Sequence, residues 1–327
     1  MSPRLFAITT ALMISSVVLV AAPSPASDEV NRPAPKRELD VGGLKTFEGN
    51  KRIAIPTLYV KLMTWGRMNP VPPPSTDAPP AGKKDRNPGP LLEIGMTVDA
   101  KVAQTIAREL YDDLVAQFRA AGWQVLTFRE LTSSTALFRL EQEEVDPSLG
   151  GTVDTTSPTK EKRRYIKIAP DRMPLIKETD SQGIAALNKV AREQSIPVLI
   201  PLYVFDPVAF EAGEAKGANL LPPLGERASL QLVYAGFEFV NGDSTVGAVH
   251  TRAPVQLWSN IGKLTLAPDT GPEMAYALPK KLAAEALKKK TLYLLNTDFE
   301  ALQTCTLDSG KDFNRAAVQA MTAGIRK

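Results

Sequence analysis

The chain has 327 residues, of which 43% are hydrophobic and 23% charged, so it can bury a true core and does not have the composition of a disordered polymer. A formal net charge of +3 gives no basis for nucleic-acid binding driven by overall charge. One cysteine excludes an intramolecular disulfide, and one histidine excludes multi-histidine metal sites.

Arg4, the apolar run 5–22 and Pro23-Ser24-Pro25-Ala26 ahead of Ser27-Asp28-Glu29 follow the order of a secretory signal peptide. Small residues at Ser24 and Ala26 place cleavage between Ala26 and Ser27, giving a signal peptide over 1–26. No cysteine lies near the cut to take a lipid, and no later run is long enough to span a membrane. The expected location is the periplasm or the exterior. Residues 27–50 are polar, with Pro33, Pro35 and Gly42-Gly43, and read as a flexible linker. Residues 51–327 read as a single α/β domain carrying a proline-rich insertion at 66–95.

Ile53, Ile55, Leu58, Val60 and Leu62 mark a strand in which Pro56 demands a bulge or an edge position. The insertion contains Pro72-Pro73-Pro74, Pro79-Pro80 and the basic cluster Lys83-Lys84-Asp85-Arg86, which continues neither a sheet nor a helix. Val98, Val102, Ile106, Leu110, Leu114 and Phe118 then recur every four residues, an amphipathic helix with Thr97 as its expected cap and Gly122 just past its end. The strand 123–128 completes a βαβ unit, whose two strands should be parallel with a right-handed crossover.

A short helix is expected after Ser133-Ser134-Thr135. Next comes an acidic run, Glu141, Glu143, Glu144 and Asp146, answered by a basic one, Lys160, Lys162, Arg163, Arg164 and Lys167. Both read as solvated surface, paired across a loop. Residues 181–194 form a second helix with Ile184, Leu187 and Val190 inward, and 196–205 form a buried strand. After a loop at 213–224, the runs 228–240 and 245–258 make a hairpin turning at Asn241-Gly242-Asp243, and 263–267 adds a strand. The remainder reads as helical over 279–287, 292–302 and 312–325, with Ser309 as a cap. The fold class is α/β: a mixed sheet with packed helices, one βαβ unit and a long antiparallel hairpin.

Chemistry is sparse. His250 reads as a half-exposed strand residue and Cys305 as a buried thiol. Ser157 and Lys160 fit an S-x-x-K pattern without its companion motifs, and Gly242-Asp243-Ser244-Thr245-Val246 lacks the last glycine of a nucleophile elbow. Phosphate-cradling glycine motifs do not occur. The carboxylate pairs are Asp112 with Asp113, the cluster 141–146, and Asp269 with Glu273. No residue is assigned a catalytic, cofactor-binding or metal-binding role, and no cofactor is expected.

The order of strand KRIAIPTLYV, insertion, helix ending at Gly122, strand WQVLTF, FRELTSS, strand VLIPLYVF and a hairpin turning at V-N-G-D resembles the CsgG-like and TolB N-terminal-like group over residues 51–265. The resemblance implies an α/β domain of an envelope accessory protein that needs no catalytic site. The missing lipobox cysteine and the proline-rich insertion separate this chain from pore-forming members. The expected function is a non-enzymatic interaction protein of the cell envelope that meets other envelope proteins through 69–90; a secreted carboxylate-dependent hydrolase is the alternative.

Overall fold

The computed structural model describes residues 38–47, 50–68, 92–131, 133–140, 142–146, 151–155, 163–176, 180–209, 227–243, 246–267 and 292–325. The predicted signal peptide, the prolines and basic cluster of the insertion, Ser157 with Lys160, the loop 213–224, Asp269, Glu273 and the predicted helix 279–287 lie outside these residues. In chain order the elements are β1 (Leu39–Gly42), a 3-10 turn (Leu44–Phe47), β2 (Arg52–Ile55), β3 (Tyr59–Met68), β4 (Leu92–Met96), α1 (Ala100–Ala120), β5 (Gln124–Thr127) and α2 (Thr135–Phe138). There follow β6 (Thr152–Asp154), β7 (Arg163–Ile168), α3 (Asp180–Gln194), β8 (Val198–Ala209), β9 (Arg227–Val240), β10 (Val246–Thr251), β11 (Val255–Leu266), β12 (Leu292–Thr297) and α4 (Phe299–Ile325). This is the mixed α/β class read from the sequence.

The four-residue period of α1 buries Ile106, Leu110, Leu114 and Phe118. Its cap is Asp99 and not Thr97: the Asp99 carboxylate accepts the Lys101 and Val102 amides at 2.8 and 3.0 Å, two of the donors a helix start leaves unsatisfied. Gly122 follows with φ +82°, the left-handed geometry that ends the helix and turns the chain into β5. β5 pairs parallel with β2, as the βαβ reading required.

The single strand expected over 53–62 is two. Pro56 has no amide to donate, and the chain slips one residue there: Ala54 pairs with Val198 but Tyr59 with Leu202, so five steps on this side meet four on β8. The insertion is also narrower than 66–95, because Gly66, Arg67 and Met68 pair antiparallel with Ile94, Glu93 and Leu92 as β3 and β4.

β8 is central, parallel to β3 and antiparallel to β9. β9 turns at Gly242 (φ +93°) into β10, but the second arm of the expected hairpin breaks at Arg252-Ala253-Pro254, and the chain re-enters as β11 on the same edge of β9. The pairings β3–β8–β9–β11–β12–β4–β3 close a circuit. β4 and β8 occupy successive stretches of one edge of β3, since β7 pairs along residues 60–66 on the other.

Further expectations fail. The segment read as linker contains β1, antiparallel to β10, and Phe47, fully buried against Trp123 and Phe239. Residues 292–297 are not helical but form β12, parallel to β4, because the run Leu-Tyr-Leu-Leu is buried on all four side chains, as an interior strand is. Helix α4 then runs unbroken through Ser309, with Asp298 accepting the amides of Glu300 and Ala301 at its start.

One face of the sheet carries α1 and α4 over the larger apolar core. The other carries α2, α3 and the segment 169–176 over a smaller one, with Tyr59, Leu131, Leu137, Val190 and Ile196 inside it. This second face holds the site.

Candidate functional site

Among the described residues, three buried ion pairs cross this mostly apolar second face. Lys61 on β3 and Lys167 on β7 are directly opposite in register. Lys61 meets Asp154 of β6 at 2.6 Å and Lys167 meets Glu143 at 3.2 Å, with Arg163 of β7 paired to Asp206 of β8 further along. The Lys167 ammonium also lies 4.2 Å from the centre of the Tyr59 ring and donates to the Ile176 carbonyl at 3.4 Å. Thus the acidic and basic runs do pair across a loop through Glu143 and Lys167, but the lysine is core and not solvated surface.

Beside these pairs is a cleft of about 330 Å³ between α2, residues 142–145 and the turn 169–175. α2 is held by Glu193 of α3: its carboxylate takes the Ser134 hydroxyl at 2.6 Å and the Thr135 and Ala136 amides at 2.9 and 3.0 Å. The Ser134 hydrogen bond, followed by those amides, lowers the Glu193 carboxyl below its usual range. Ser134 in turn accepts the Leu137 amide at 3.1 Å. So anchored, α2 buries Leu137 and leaves Phe138 57% exposed at the mouth, across from Val145 at 47%. The opposite wall turns through Arg172 at φ +67°, closed by a Met173 amide bond to the Pro170 carbonyl at 2.9 Å.

The cleft is lined by apolar Phe128, Leu137, Met173 and Leu175 and by polar Gln104, Gln142, Asp171 and Arg172, and among the described residues Asp171 is its one carboxylate. Two-carboxylate glycoside chemistry needs a second acid across the gap. Among the described residues the carboxylate pairs read from the sequence do not provide it. Asp113 accepts from Asn314 at 2.8 Å and from Gln117 at 3.4 Å between α1 and α4, while Asp112 beside it is exposed. Glu144 is exposed, and Asp146 bridges through its backbone to Gly151. Among the described residues no group of three or more His, Cys, Asp or Glu side chains could hold a metal.

His250 is half-buried in β10, its Nδ1 3.1 Å from the Thr251 carbonyl and its ring stacked on Tyr234. Cys305 is buried within α4, and desolvation pushes its thiol up to about 11. Gly242 is a turn residue whose amide donates to Asn188 at 3.0 Å. Glu130, in the FRELTSS stretch, closes a local turn by accepting the Thr127 amide and hydroxyl, both at 2.7 Å. Sequence reasoning missed Lys61, Phe138 and Val145. Lys61 carried a signal, a lone charge inside the apolar run YVKLM.

No family model matches this chain, and no curated protein matches it. Among the described residues no helix is long and apolar enough to cross a membrane.

Proposed function

We propose that this chain is a non-enzymatic, exported accessory protein of the cell envelope, which binds another envelope protein through the cleft between α2 and the turn 169–175. One observation supports the reading above the rest: Phe138 and Val145 present exposed apolar side chains at the mouth of a cleft that, among the described residues, offers one carboxylate. Exposed aromatic residues at the mouth of a partly apolar cleft are the anchors of protein interfaces, whereas two-carboxylate hydrolysis requires a second acid across the gap. The CsgG-like and TolB N-terminal-like element order agrees with an accessory role, and the proline-rich 69–90 is a second contact in the same proposal.

The test is photo-crosslinking in cells from a benzoylphenylalanine placed at position 138. A discrete protein adduct that disappears in the Val145→Asp and Met173→Asp variants is expected. Absence of any adduct, together with turnover of a glycoside, ester or peptide that Asp171→Asn abolishes, would replace this reading with the hydrolase.

A further inference from the structure

Lys61 and Lys167 are facing cations on adjacent strands, with side chains only 5% and 0% exposed. Like charges directly opposite each other destabilise a sheet, and a buried ion pair is seldom more stabilising than apolar side chains of the same volume. The fold therefore keeps these lysines at a cost. Their partners are the more exposed members of each pair, Glu143 at 21% and Asp154 at 14%, and both come from one stretch of chain.

That stretch lies along the sheet in two short arms. Residues 142–143 are joined to 175–176 by the Gln142–Ile176 bridge and the Glu143 amide bond to the Leu175 carbonyl at 2.7 Å. Residues 152–154 are β6, a three-residue strand on the outer edge of β7, with Val153 facing solvent. The floor beneath them is held from the sheet as well as by the arms. The Tyr59 hydroxyl accepts the Ile176 amide at 3.0 Å, and Lys167 rests on the Tyr59 ring and the Ile176 carbonyl.

We propose that Lys61 and Lys167 form a dianion-binding site, for a phosphate monoester or a dicarboxylate, which Glu143 and Asp154 occupy as internal ligands. A ligand with two negative charges exchanges with the two carboxylates, so its binding frees the acidic arms, and the site is closed until such a ligand is present. In this exchange one dianion takes the place of the two carboxylates beside the two ammonium groups. Arg163 is matched by Asp206 on β8, outside the arms, and takes no part in the exchange.

The experiment uses the full chain and its Glu143→Gln variant, with inorganic phosphate and malonate as probes and sodium chloride of equal ionic strength as the control. In the variant, 10 mM of one dianion should raise the melting temperature by roughly 4 °C over chloride, the shift of a ligand well above its dissociation constant. Glu143→Gln combined with Lys167→Met should lose that rise. Whichever dianion gives the larger shift identifies the ligand as phosphate-like or dicarboxylate. No rise over chloride in Glu143→Gln, or an equal rise with Lys167→Met present, would overturn the site. Should the variant fail to fold, hydrogen exchange of the unsubstituted chain decides: 100 mM dianion should speed exchange of the 143 and 153 amides, and unchanged exchange would overturn the proposal.

Discussion

Gly262 stands against the Asn296 carbonyl so closely that a Cβ on it would lie 2.2 Å from the oxygen. Its φ is +147°, and it pairs at once with Ala228 of β9 and Thr297 of β12, where β11 resumes its register after a bulge. The glycine thus lets β11 join the long β9 to the inner strand β12. Gly262→Ala should lower unfolding stability by about 3 kcal/mol, from backbone strain and the clash together. Urea unfolding measures this, and a loss below roughly 1 kcal/mol would mean that the strands shift to accept a methyl group.

The polar contact between α1, α4 and β8 should behave as a unit. Asn314 accepts the Tyr203 hydroxyl and donates to the Leu110 carbonyl at 3.2 Å and to Asp113 at 2.8 Å, with Tyr203 and Asn314 both fully buried. Asn314→Leu strands the buried Tyr203 hydroxyl and takes one donor each from the Leu110 carbonyl and the Asp113 carboxylate, and should cost about 3 kcal/mol, whereas Tyr203→Phe removes one donor and should cost about 1 kcal/mol. In the double variant the costs should add to less than their sum, because the hydroxyl that Asn314→Leu orphans is gone. Strict additivity in a double-mutant cycle would show that the two side chains are not coupled.

How much of this could be read from the sequence follows from how local each signal is. The stripe of α1 lies within one helix, and the slip at Pro56 follows from one missing amide, so both were readable. β12 was not: Leu-Tyr-Leu-Leu is too short to show a period, and its burial depends on β4 and β11, far away in sequence. Glu143 and Lys167 were visible as opposite charge runs, but Lys61 was not placed. With Val60 and Leu62 turned to the core, alternation puts Lys61 on the opposite face, which would be solvated if α2, α3 and the segment 169–176 did not cover it.

Alkaline pH should destabilise the fold. Burial raises the Cys305 thiol to about 11 and the Tyr111 and Tyr234 hydroxyls to about 12. The folded state then holds protons that the unfolded chain loses from about pH 8.5 for cysteine and about pH 10 for tyrosine. Stability from these groups is fully present below the unfolded values and is lost as pH rises through the folded ones. Denaturation midpoints should fall from about pH 8.5 upward, and Cys305→Ala should remove the part of the slope below about pH 10. An unchanged slope in that variant would mean the thiol ionises alike in both states.

The proposed export predicts a definite terminus. Protein recovered from an envelope or culture fraction should begin at Ser27 by intact-mass spectrometry, as the small residues at 24 and 26 require. Recovery of chains that begin at Met1 in a membrane pellet would show an uncleaved anchor.

The segment preceding residue 51 should prove part of the folding unit. Phe47 is fully buried, its ring 5.2 Å from Trp123 at the end of α1 and 4.8 Å from Phe239 on β9, so it joins the helix layer to the longest strand. Trp123 also donates to the Thr322 hydroxyl of α4 at 3.0 Å, which ties the same cluster to the C-terminal helix. Phe47→Ala removes an aromatic side chain from a site bounded by three elements that are themselves cross-braced, so collapse into the void is restricted and the cost should be about 4 kcal/mol. By contrast Arg252→Ala, which breaks the exposed pairs to Glu38 and Asp40 beside β1, should leave the stability nearly unchanged. The two variants separate what packs from what merely pairs: an equal small loss from both would mean that residues 38–47 are a dispensable arm, and a large loss from Phe47→Ala alone would make them the first element of the fold.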